Sequence, residues 1–387
     1  MGSIIMYETL SSPPMIRVKG GFLKSLEKHV AVIRAFGFET QVDVFQSAAA
    51  SALAVPLTVL IENVRGQEVT ITHQNGTVRH VIRSESSILF ELTDCSRQTL
   101  TIKYSHPTNA FDFFFLGDVH GMFHHLREVI QAGNTLDPLF IMSNGDMTHS
   151  GHLEDYHRLS DLLGTSHVPV FTSIGNHDKR ARGGRANYRK LLSPLYYSFA
   201  MRDTKFIVLD SSRKRGLQKF QYAWLEQELQ QAKGMRTFVF LHRPPVCPKY
   251  NYLAFSASSN AWKFLALMEQ YHVEMVLASH IHVFTEFYKR GVHYIITGGG
   301  GGALWQPANI HHYLHVFVKK NGVDVKVIPL PTPEAKMSQR LKDVIKFNVE
   351  YHITKKKHFK FTNGLGASKR INRSTSSERF RIRRRGV

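Results

Sequence analysis

The chain has 387 residues, of which 43% are hydrophobic and 21% are charged, and this composition excludes a mostly disordered protein. Its formal net charge of +20 is uneven, because residues 340–387 hold 15 Lys or Arg against three acids, a net of +12. The two cysteines, Cys95 and Cys247, are too few for a disulfide framework or a thiolate metal site.

Residues 1–108 are predicted to form a small β-sandwich domain, because short runs of β-forming residues alternate with turns. Asn75-Gly76 is typical of a β-hairpin turn. This part holds no recognisable constellation of catalytic groups, which favours a packing or substrate-facing module. The predicted strands are 16–19, 29–33, 42–45, 57–61, 69–73, 78–82, 88–92 and 100–104.

Residues 109–332 change to apolar strands that alternate with helical patterns, which predicts a layered α/β domain. Two later strand pairs flank Arg290-Gly291 and Asn321-Gly322, and they are predicted to be hairpins that complete a second sheet. The predicted strands are 111–116, 139–142, 168–172, 206–209, 237–241 and 275–277, and the predicted helices are 123–131, 153–163, 222–232 and 261–270.

Residues 333–387 are predicted to be a basic, partly flexible extension. It is either a solvated tail or an electrostatic contact for a polyanion, nucleic acid or anionic lipid. It contains no interleaved aromatic ladder or zinc knuckle, so sequence-specific recognition is not expected.

Targeting signals are weak in this sequence. The N-terminus lacks a basic segment followed by an apolar run, so no ordinary signal peptide is expected. The apolar stretch 47–61 contains Pro56 and is shorter than the roughly 20 residues of a spanning helix, so we predict a strand and no transmembrane segment. Together with the few cysteines, this predicts a cytoplasmic location.

Polar turns follow five of the predicted α/β strands, where ligands and catalytic groups collect in open sheets. Each turn alone is explained by ordinary turn chemistry, but their order and shared position predict one convergent site. The turns are Asp118-Val119-His120, Gly145-Asp146, Gly175-Asn176-His177-Asp178, His242, and His280-Ile281-His282.

Carboxylate oxygens, imidazole nitrogens and one amide oxygen suit Fe, Mn, Zn or Co better than Mg or Ca. A carboxylate can bridge two cations. Two metal ions about 3.5–4 Å apart can generate a hydroxide that attacks phosphorus in line. The residues therefore predict a two-metal site for phosphate-ester hydrolysis.

With these five blocks, residues 111–330 resemble the calcineurin-like metallophosphoesterase superfamily. The resemblance implies a four-layer αββα sandwich with a dinuclear site at the sheet edge. It also implies that His177 contacts the scissile phosphate and protonates the leaving oxygen, and that Asp178 orients the His177 ring. Seven residues match the family's metal ligands: Asp118, His120 and His282 for the first ion, Asn176, His242 and His280 for the second, and Asp146 as the bridge.

The sequence departs from the family pattern at Ser279, where glycine is usual, but a small residue still allows close backbone approach. Purple acid phosphatases use a tyrosine on their ferric ion, whereas His120 occupies the Asp-x-His position here, so no purple chromophore is expected. Segments 145–148 and 208–211 resemble the class III cyclic-nucleotide phosphodiesterase branch. Residues 298–302 either bring backbone close to the site or form a flexible loop.

These observations predict a hydrolase of small phosphomonoesters or phosphodiesters that uses two divalent or trivalent metal ions. A nuclease that grips nucleic acid through the basic extension is one alternative. A non-catalytic scaffold of the same fold is another, although such a scaffold is expected to have lost ligands.

Overall fold

The computed structural model describes residues 14–45, 56–93, 97–305 and 310–330, which form four β-sheets and their flanking helices. The strands are β1 (Met15–Lys19), β2 (Gly21–Glu27), β3 (Val30–Ala35), β4 (Glu39–Phe45), β5 (Leu57–Glu62), β6 (Val69–Gln74), β7 (Thr77–Arg83), β8 (Ser87–Thr93), β9 (Arg97–Tyr104), β10 (Phe111–Leu116), β11 (Phe140–Asn144), β12 (Val170–Ser173), β13 (Tyr197–Met201), β14 (Thr204–Leu209), β15 (Arg236–Leu241), β16 (Met275–Ala278), β17 (Phe284–Lys289), β18 (Val292–Thr297), β19 (His312–Lys319) and β20 (Gly322–Pro329). The helices are α1 (Phe123–Leu136), α2 (Leu153–Leu163), α3 (Gly184–Leu191), α4 (Lys219–Gln231) and α5 (Ser258–Gln270), with short 3-10 turns at Gly66–Glu68 and Asn251–Leu253.

The first nine strands form a β-sandwich. One sheet has the order β1-β4-β9-β6 and the other has the order β2-β3-β5-β8-β7. Side chains alternate between core and surface along β4, β5, β8 and β9, as expected for strands with one buried face. Ile33, Val42, Val59, Phe90 and Leu100 meet in the shared core. All eight predicted strands are present, and β2 was missed.

The hairpin predicted at Asn75-Gly76 is wrong. Both residues have positive φ angles, 62° and 68°, so the tight turn itself is present. However, β6 pairs with β9 and β7 pairs with β8, which places the two strands in opposite sheets. A tight turn fixes the local change of chain direction, whereas burial of apolar side chains decides which strand becomes the partner.

The later strands form two sheets with a core of aromatic residues between them. The five-stranded sheet has the order β12-β11-β10-β19-β20, and the six-stranded sheet has the order β13-β14-β15-β16-β18-β17. Phe113 and Phe140 stack at 4.8 Å on the first sheet and face Phe206, Phe238 and Phe240 of the second.

The outer face of each sheet is covered by helices. Phe114 and Leu116 point away from the aromatic core and pack with residues of α1, α2 and α3. Ile207 and Val239 pack with residues of α4 and α5 on the other side. Because successive strand residues point to opposite faces, both faces are buried and the strands are almost wholly apolar. The predicted four-layer αββα sandwich is confirmed.

The two late hairpins form at Arg290-Gly291 and Asn321-Gly322 as predicted, but they do not complete the same sheet. The β17–β18 pair joins the six-stranded sheet beside β16. The β19–β20 pair returns to the five-stranded sheet, where β19 lies antiparallel to β10. Helix α3 and strand β13 were also missed.

The sandwich packs directly on the five-stranded sheet. The buried Arg34 guanidinium donates to the carbonyls of Val170 at 3.0 Å and Leu192 at 3.2 Å. The Asn63 side chain accepts from the Val170 amide at 2.7 Å. Phe38 makes edge contacts with Phe140 and other rings of the aromatic core. These contacts attach the sandwich to the edge strand β12 and to the aromatic core.

The basic extension 333–387, Cys95 and the whole of segment 47–55 lie outside the described residues, so the predictions for them stay predictions. The same holds for the domain boundaries at 108 and 332 and for the cytoplasmic location. In the described part of the chain, no helix is long and apolar enough to cross a membrane.

Candidate dinuclear metal centre

The seven predicted ligands meet at the edge where the two sheets of the αββα sandwich present the carboxyl ends of their parallel strands. Loops after β10, β11 and β12 carry the residues from the five-stranded sheet, and loops after β15 and β16 carry those from the six-stranded sheet. Donor atoms of six of these residues form two groups, each within 4.8 Å: Asp118, His120 and His282 in one, and Asp146, His242 and His280 in the other.

The first group contains two buried polar atoms that a bound cation would satisfy. Asp118 Oδ1 lies 3.3 Å from His282 Nε2 and 3.5 Å from His120 Nε2. Within the described residues, Asp118 Oδ1 and His120 Nε2 are buried without a hydrogen-bond partner. Buried polar atoms without partners are costly, and a metal ion between these donors would satisfy both.

In the second group, Asp146 Oδ2 lies 3.2 Å from His242 Nε2. The amide oxygen of Asn176 lies 3.3 Å from the same nitrogen, so Asn176 belongs with this group. Asp146 Oδ2 is also 3.6 Å from His120 Nε2 of the first group. Asp146 therefore stands between the two groups, as a bridging ligand must.

Hydrogen bonds to the atoms that face away from the centre fix the orientation of the ligand side chains. His242 Nδ1 bonds to the Asn144 carbonyl at 3.1 Å, and His282 Nδ1 bonds to the Ala303 carbonyl at 2.8 Å. Because a carbonyl only accepts, both rings carry their proton on Nδ1 and leave Nε2 free for a metal. The second oxygens of Asp118 and Asp146 accept backbone amides at 2.7 and 2.6 Å.

The two aspartates are held ionised. Burial raises the pKa of Asp118, but the imidazoles of His282 and His120 outweigh it and hold the pKa well below the usual carboxyl range. Burial also raises the pKa of Asp146, and His242 outweighs it, so this pKa is lowered as well. The centre therefore offers two ionised carboxylates among imidazole side chains, a donor set that suits two cations.

Four of the candidate ligands have backbone in the left-handed region: φ is 62° at Asp118, 52° at His120, 51° at Asp146 and 69° at His280. Residues other than glycine rarely adopt this conformation, and such strain collects at functional sites. The left-handed backbone turns the chain sharply after each strand, so that the side chains of successive loop residues reach the same point.

The glycine-rich segment 298–302 runs against the site, which decides between the two alternatives left open by the sequence. A Cβ at Gly302 would lie 2.4 Å from the His282 ring. The Gly302 amide donates to the Asp118 carbonyl at 2.7 Å, and the Gly300 amide donates to the Gly117 carbonyl at 2.9 Å. Only residues without a side chain allow this approach.

Ser279, the departure from the family pattern, is buried behind the ligands. Its hydroxyl accepts from Asn144 Nδ2 at 3.0 Å. Gly117 lies opposite, and a Cβ there would come within 2.0 Å of Ser279 Oγ. The extra atoms of serine thus occupy space that Gly117, directly after β10 of the other sheet, leaves free.

His177 faces the centre, with Nε2 3.9 Å from Asp146 Oδ2. Its Nδ1 donates to the His149 carbonyl at 2.9 Å, so His149 sets the orientation of the ring. The pKa of His177 is lowered to about 4, and burial is the largest cause. Asp146 raises this pKa, whereas His120 and Arg180 lower it further.

The prediction that Asp178 orients the His177 ring is wrong. Asp178 Oδ1 accepts from the amide and the hydroxyl of Thr148 at 2.9 and 3.0 Å, and Oδ2 accepts from the Gly175 amide at 2.9 Å. The carboxylate turns away from the ring because it satisfies backbone donors of two loops. It therefore fastens the loop after β11 to the loop after β12.

Sequence reasoning missed His149 and Arg243. His149 acts through its backbone carbonyl, which no side-chain pattern could indicate. Arg243 Nη2 lies 3.3 Å from Asn176 Oδ1. Its position directly after His242 was a signal that could have been used.

Comparison with known proteins agrees with this geometry. Residues 111–284 match the family model of calcineurin-like phosphoesterases, and all seven candidate ligands fall inside that range. This segment is therefore similar to the calcineurin-like phosphoesterase family, the family that the five sequence blocks resemble.

Two curated relatives align with parts of the chain. A glycerophosphodiester phosphodiesterase, GpdQ of Enterobacter lignolyticus, is 29% identical over 38% of this chain and 57% of its own length. The 3',5'-cyclic adenosine monophosphate phosphodiesterase CpdA of Escherichia coli is 25% identical over 37% of this chain and 54% of its own length. This chain therefore spans little more than half the length of either relative.

Among solved structures, a dimetal phosphatase from Danio rerio superposes with a TM-score of 0.48 at 16% identity. The match covers 58% of this chain and 97% of the phosphatase.

Proposed function

We propose that this protein is a dinuclear-metal hydrolase of phosphate esters. The observation that carries the proposal is the pair of donor groups on either side of Asp146, with two orphaned buried atoms directed between the donors. Asp118, His120 and His282 would hold one ion, Asn176, His242 and His280 the other, and Asp146 both. The retained ligand set argues against a non-catalytic scaffold.

A metal pair held there lowers the pKa of a coordinated water and neutralises charge on phosphate oxygens. The protein supplies a rigid set of donors, because each ligand is fixed by a hydrogen bond or a sharp backbone turn. Fe, Mn and Zn all suit a set rich in imidazole, so the metal supply decides between them.

His177 is the proposed proton donor to the leaving oxygen. Its Nδ1 is committed to the His149 carbonyl, so the proton that it exchanges is carried on Nε2, the atom that faces the centre. An anionic phosphate at the centre would favour the protonated ring against the effect of burial. Asp178 is proposed as a positioning residue, because it joins the two loops that carry Asp146 and His177.

Phosphodiesters are the first substrates to test, since GpdQ and CpdA are named as phosphodiesterases. The experiment uses the full chain, freed of metal by chelation and reloaded separately with Mn²⁺, Zn²⁺ or Fe²⁺. Hydrolysis of bis(4-nitrophenyl) phosphate and 4-nitrophenyl phosphate is then measured. Activity that disappears with the metal and returns with at least one ion supports the proposal. Equal activity before and after metal removal contradicts it.

A further inference from the structure

Cations crowd the side of the phosphoesterase site that carries Asn176 and His242. The loop 179–185 reads Lys-Arg-Ala-Arg-Gly-Gly-Arg, and 213–215 reads Arg-Lys-Arg; neither contains an acid. Arg243 follows the ligand His242 directly. We call four of these residues the basic rim: Lys179, Arg185, Arg213 and Arg243.

Backbone hydrogen bonds hold the two loops in place. The Ala181 amide donates to the Ser150 carbonyl at 2.6 Å. The carbonyls of Lys214 and Arg215 accept from the Ser256 amide at 2.9 Å and from Asn260 Nδ2 at 2.7 Å. The side chains of residues 213–215 remain exposed. Both loops are thus fixed, the cations of 213–215 are exposed to solvent, and Lys179 and Arg185 are half-buried.

Arg243 connects the basic rim to the metal centre. Its Nη1 donates to the Leu253 carbonyl at 2.6 Å, and its Nη2 reaches Asn176 Oδ1 at 3.3 Å. Its buried Nε has no hydrogen-bond partner in the described part of the chain. A guanidinium with an unused donor beside a metal ligand is suited to an anion.

The charges of the basic rim are poorly neutralised. Its nearby carboxylate, Asp210, is occupied by Arg185 Nη1 at 2.5 Å and by the Ser212 hydroxyl at 2.6 Å. Arg185 Nη2 also donates to the Ser212 hydroxyl at 3.2 Å, and Ser212 directly precedes Arg213. Burial lowers the pKa of Lys179, and Arg185, Arg213 and Arg243 lower it further against Asp210, in agreement with this clustering. Asp146 and Asp118 also act on Arg243, but they are proposed metal ligands, so the four cations keep an excess of positive charge over Asp210.

We propose that the basic rim binds a second phosphate group of the substrate while the scissile phosphate lies at the metal centre. The substrate class is then a phosphate ester that carries another phosphate a few bonds away. This inference rests on the proposed function, which places the first phosphate at the metal centre. It adds that the basic rim selects substrates that carry a second phosphate.

The test compares two ligands that cannot be hydrolysed and that differ by one anionic group, propylphosphonate and propane-1,3-diphosphonate. Titration calorimetry on the metal-loaded full chain should show about tenfold tighter binding of the diphosphonate, from two or three partly screened ion pairs. The preference should shrink in about 0.5 M salt, because salt screens exposed charges.

The double variant Lys179→Gln/Arg213→Gln should reduce the preference to within about twofold, since it removes two of the cations that the second group would contact. Arg158→Gln, which removes an exposed cation from α2, should retain the preference. The diphosphonate could also bind tightly by chelating metal, but this effect would be equal in all variants. Only a preference for the diphosphonate that the double variant loses therefore supports the basic rim.

Equal affinity for the two ligands in the intact protein, or a preference that survives in the double variant, would overturn the inference. The same metal-loaded protein is assayed for ester hydrolysis. If it prefers the diphosphonate but hydrolyses no ester, the basic rim stands and the proposed function fails. If it hydrolyses esters but binds both ligands equally, the basic rim fails and the proposed function stands.

Discussion

The core of the N-terminal sandwich and the metal-ligand edge of the phosphoesterase domain are equally buried but hold opposite chemistry. In the sandwich, Ile33, Phe90 and Leu100 are fully enclosed among other apolar side chains. At the edge, Asp118 and His242 are as completely enclosed but carry charge or polar atoms. Apolar burial stabilises a fold by roughly 25 cal/mol per Å², whereas charge burial costs free energy unless a partner compensates.

This difference indicates which part of the molecule stabilises the fold and which part lowers its stability. The aromatic core and the sandwich hold the sheets in place, and the strand ends can then keep strained backbone and buried carboxylates. Substitutions in the sandwich should therefore change unfolding and leave chemistry intact, whereas substitutions at the edge should do the reverse.

The largest expected effect is that of Asp146→Asn. A neutral amide cannot balance two adjacent cations, so we expect metal affinity to fall by more than about 100-fold and hydrolysis to be lost with it. Elemental analysis and ester turnover check this result. The exposed Asp161→Asn on α2 is the matched control and should behave as the unsubstituted protein does. Two retained ions with normal turnover would contradict the bridging assignment.

His177→Ala should keep the metal content and lower turnover by roughly 10²–10⁴, the usual size of a general-acid contribution. The loss should be smaller for nitrophenyl esters than for alkyl esters, because a good leaving group needs little protonation. His157→Ala, an exposed histidine on α2, serves as the control. An equal loss on both kinds of ester would indicate that His177 positions the phosphate.

In the sandwich, Phe90→Ala should lower the free energy of unfolding by about 3–5 kcal/mol, because it leaves a cavity in a closed core. Denaturant unfolding measures the change. Metal content and turnover should stay normal at temperatures where the variant is folded. A folded variant that had lost its metals would show that the two regions are not independent.

The smallest effect is expected for Ser279→Gly, which restores the residue usual in the family. It leaves one hydrogen of the Asn144 amide without its acceptor, at a cost of about 1 kcal/mol. Thermal unfolding should show this loss while metal content is retained. Loss of a metal ion in this variant would mean that the serine supports the centre more directly than its contact indicates.

The sequence predicted that these candidate ligands lie together, because each follows a buried strand and the ends of parallel strands meet at one edge. The assignment of each residue to a metal ion came from the family resemblance and stays a proposal. The contact partners of those residues could not be predicted, since hydrogen bonds are chosen in three dimensions. Asp178 shows this, because its carboxylate prefers the amides of Thr148 and Gly175 to the neighbouring imidazole.

The same limit applies to the sheets. Asn75-Gly76 fixes a tight turn, but the partners of β6 and β7 are set by side chains far along the chain. Helix α3 begins at Gly184, directly after Gly183, a residue pair that disfavours a helical prediction. The contact of the sandwich with the five-stranded sheet through Arg34 and Asn63 also had no local signal.

The most direct test of the central claim is a metal titration of the protein after complete chelation. Mn²⁺ or Zn²⁺ is added in known equivalents, and bound metal and hydrolysis of bis(4-nitrophenyl) phosphate are recorded together. Two groups of donors that share Asp146 predict that binding saturates at two ions per chain and that hydrolysis requires the second ion. Saturation at one ion with full activity, or hydrolysis by the metal-free protein, would contradict the dinuclear assignment.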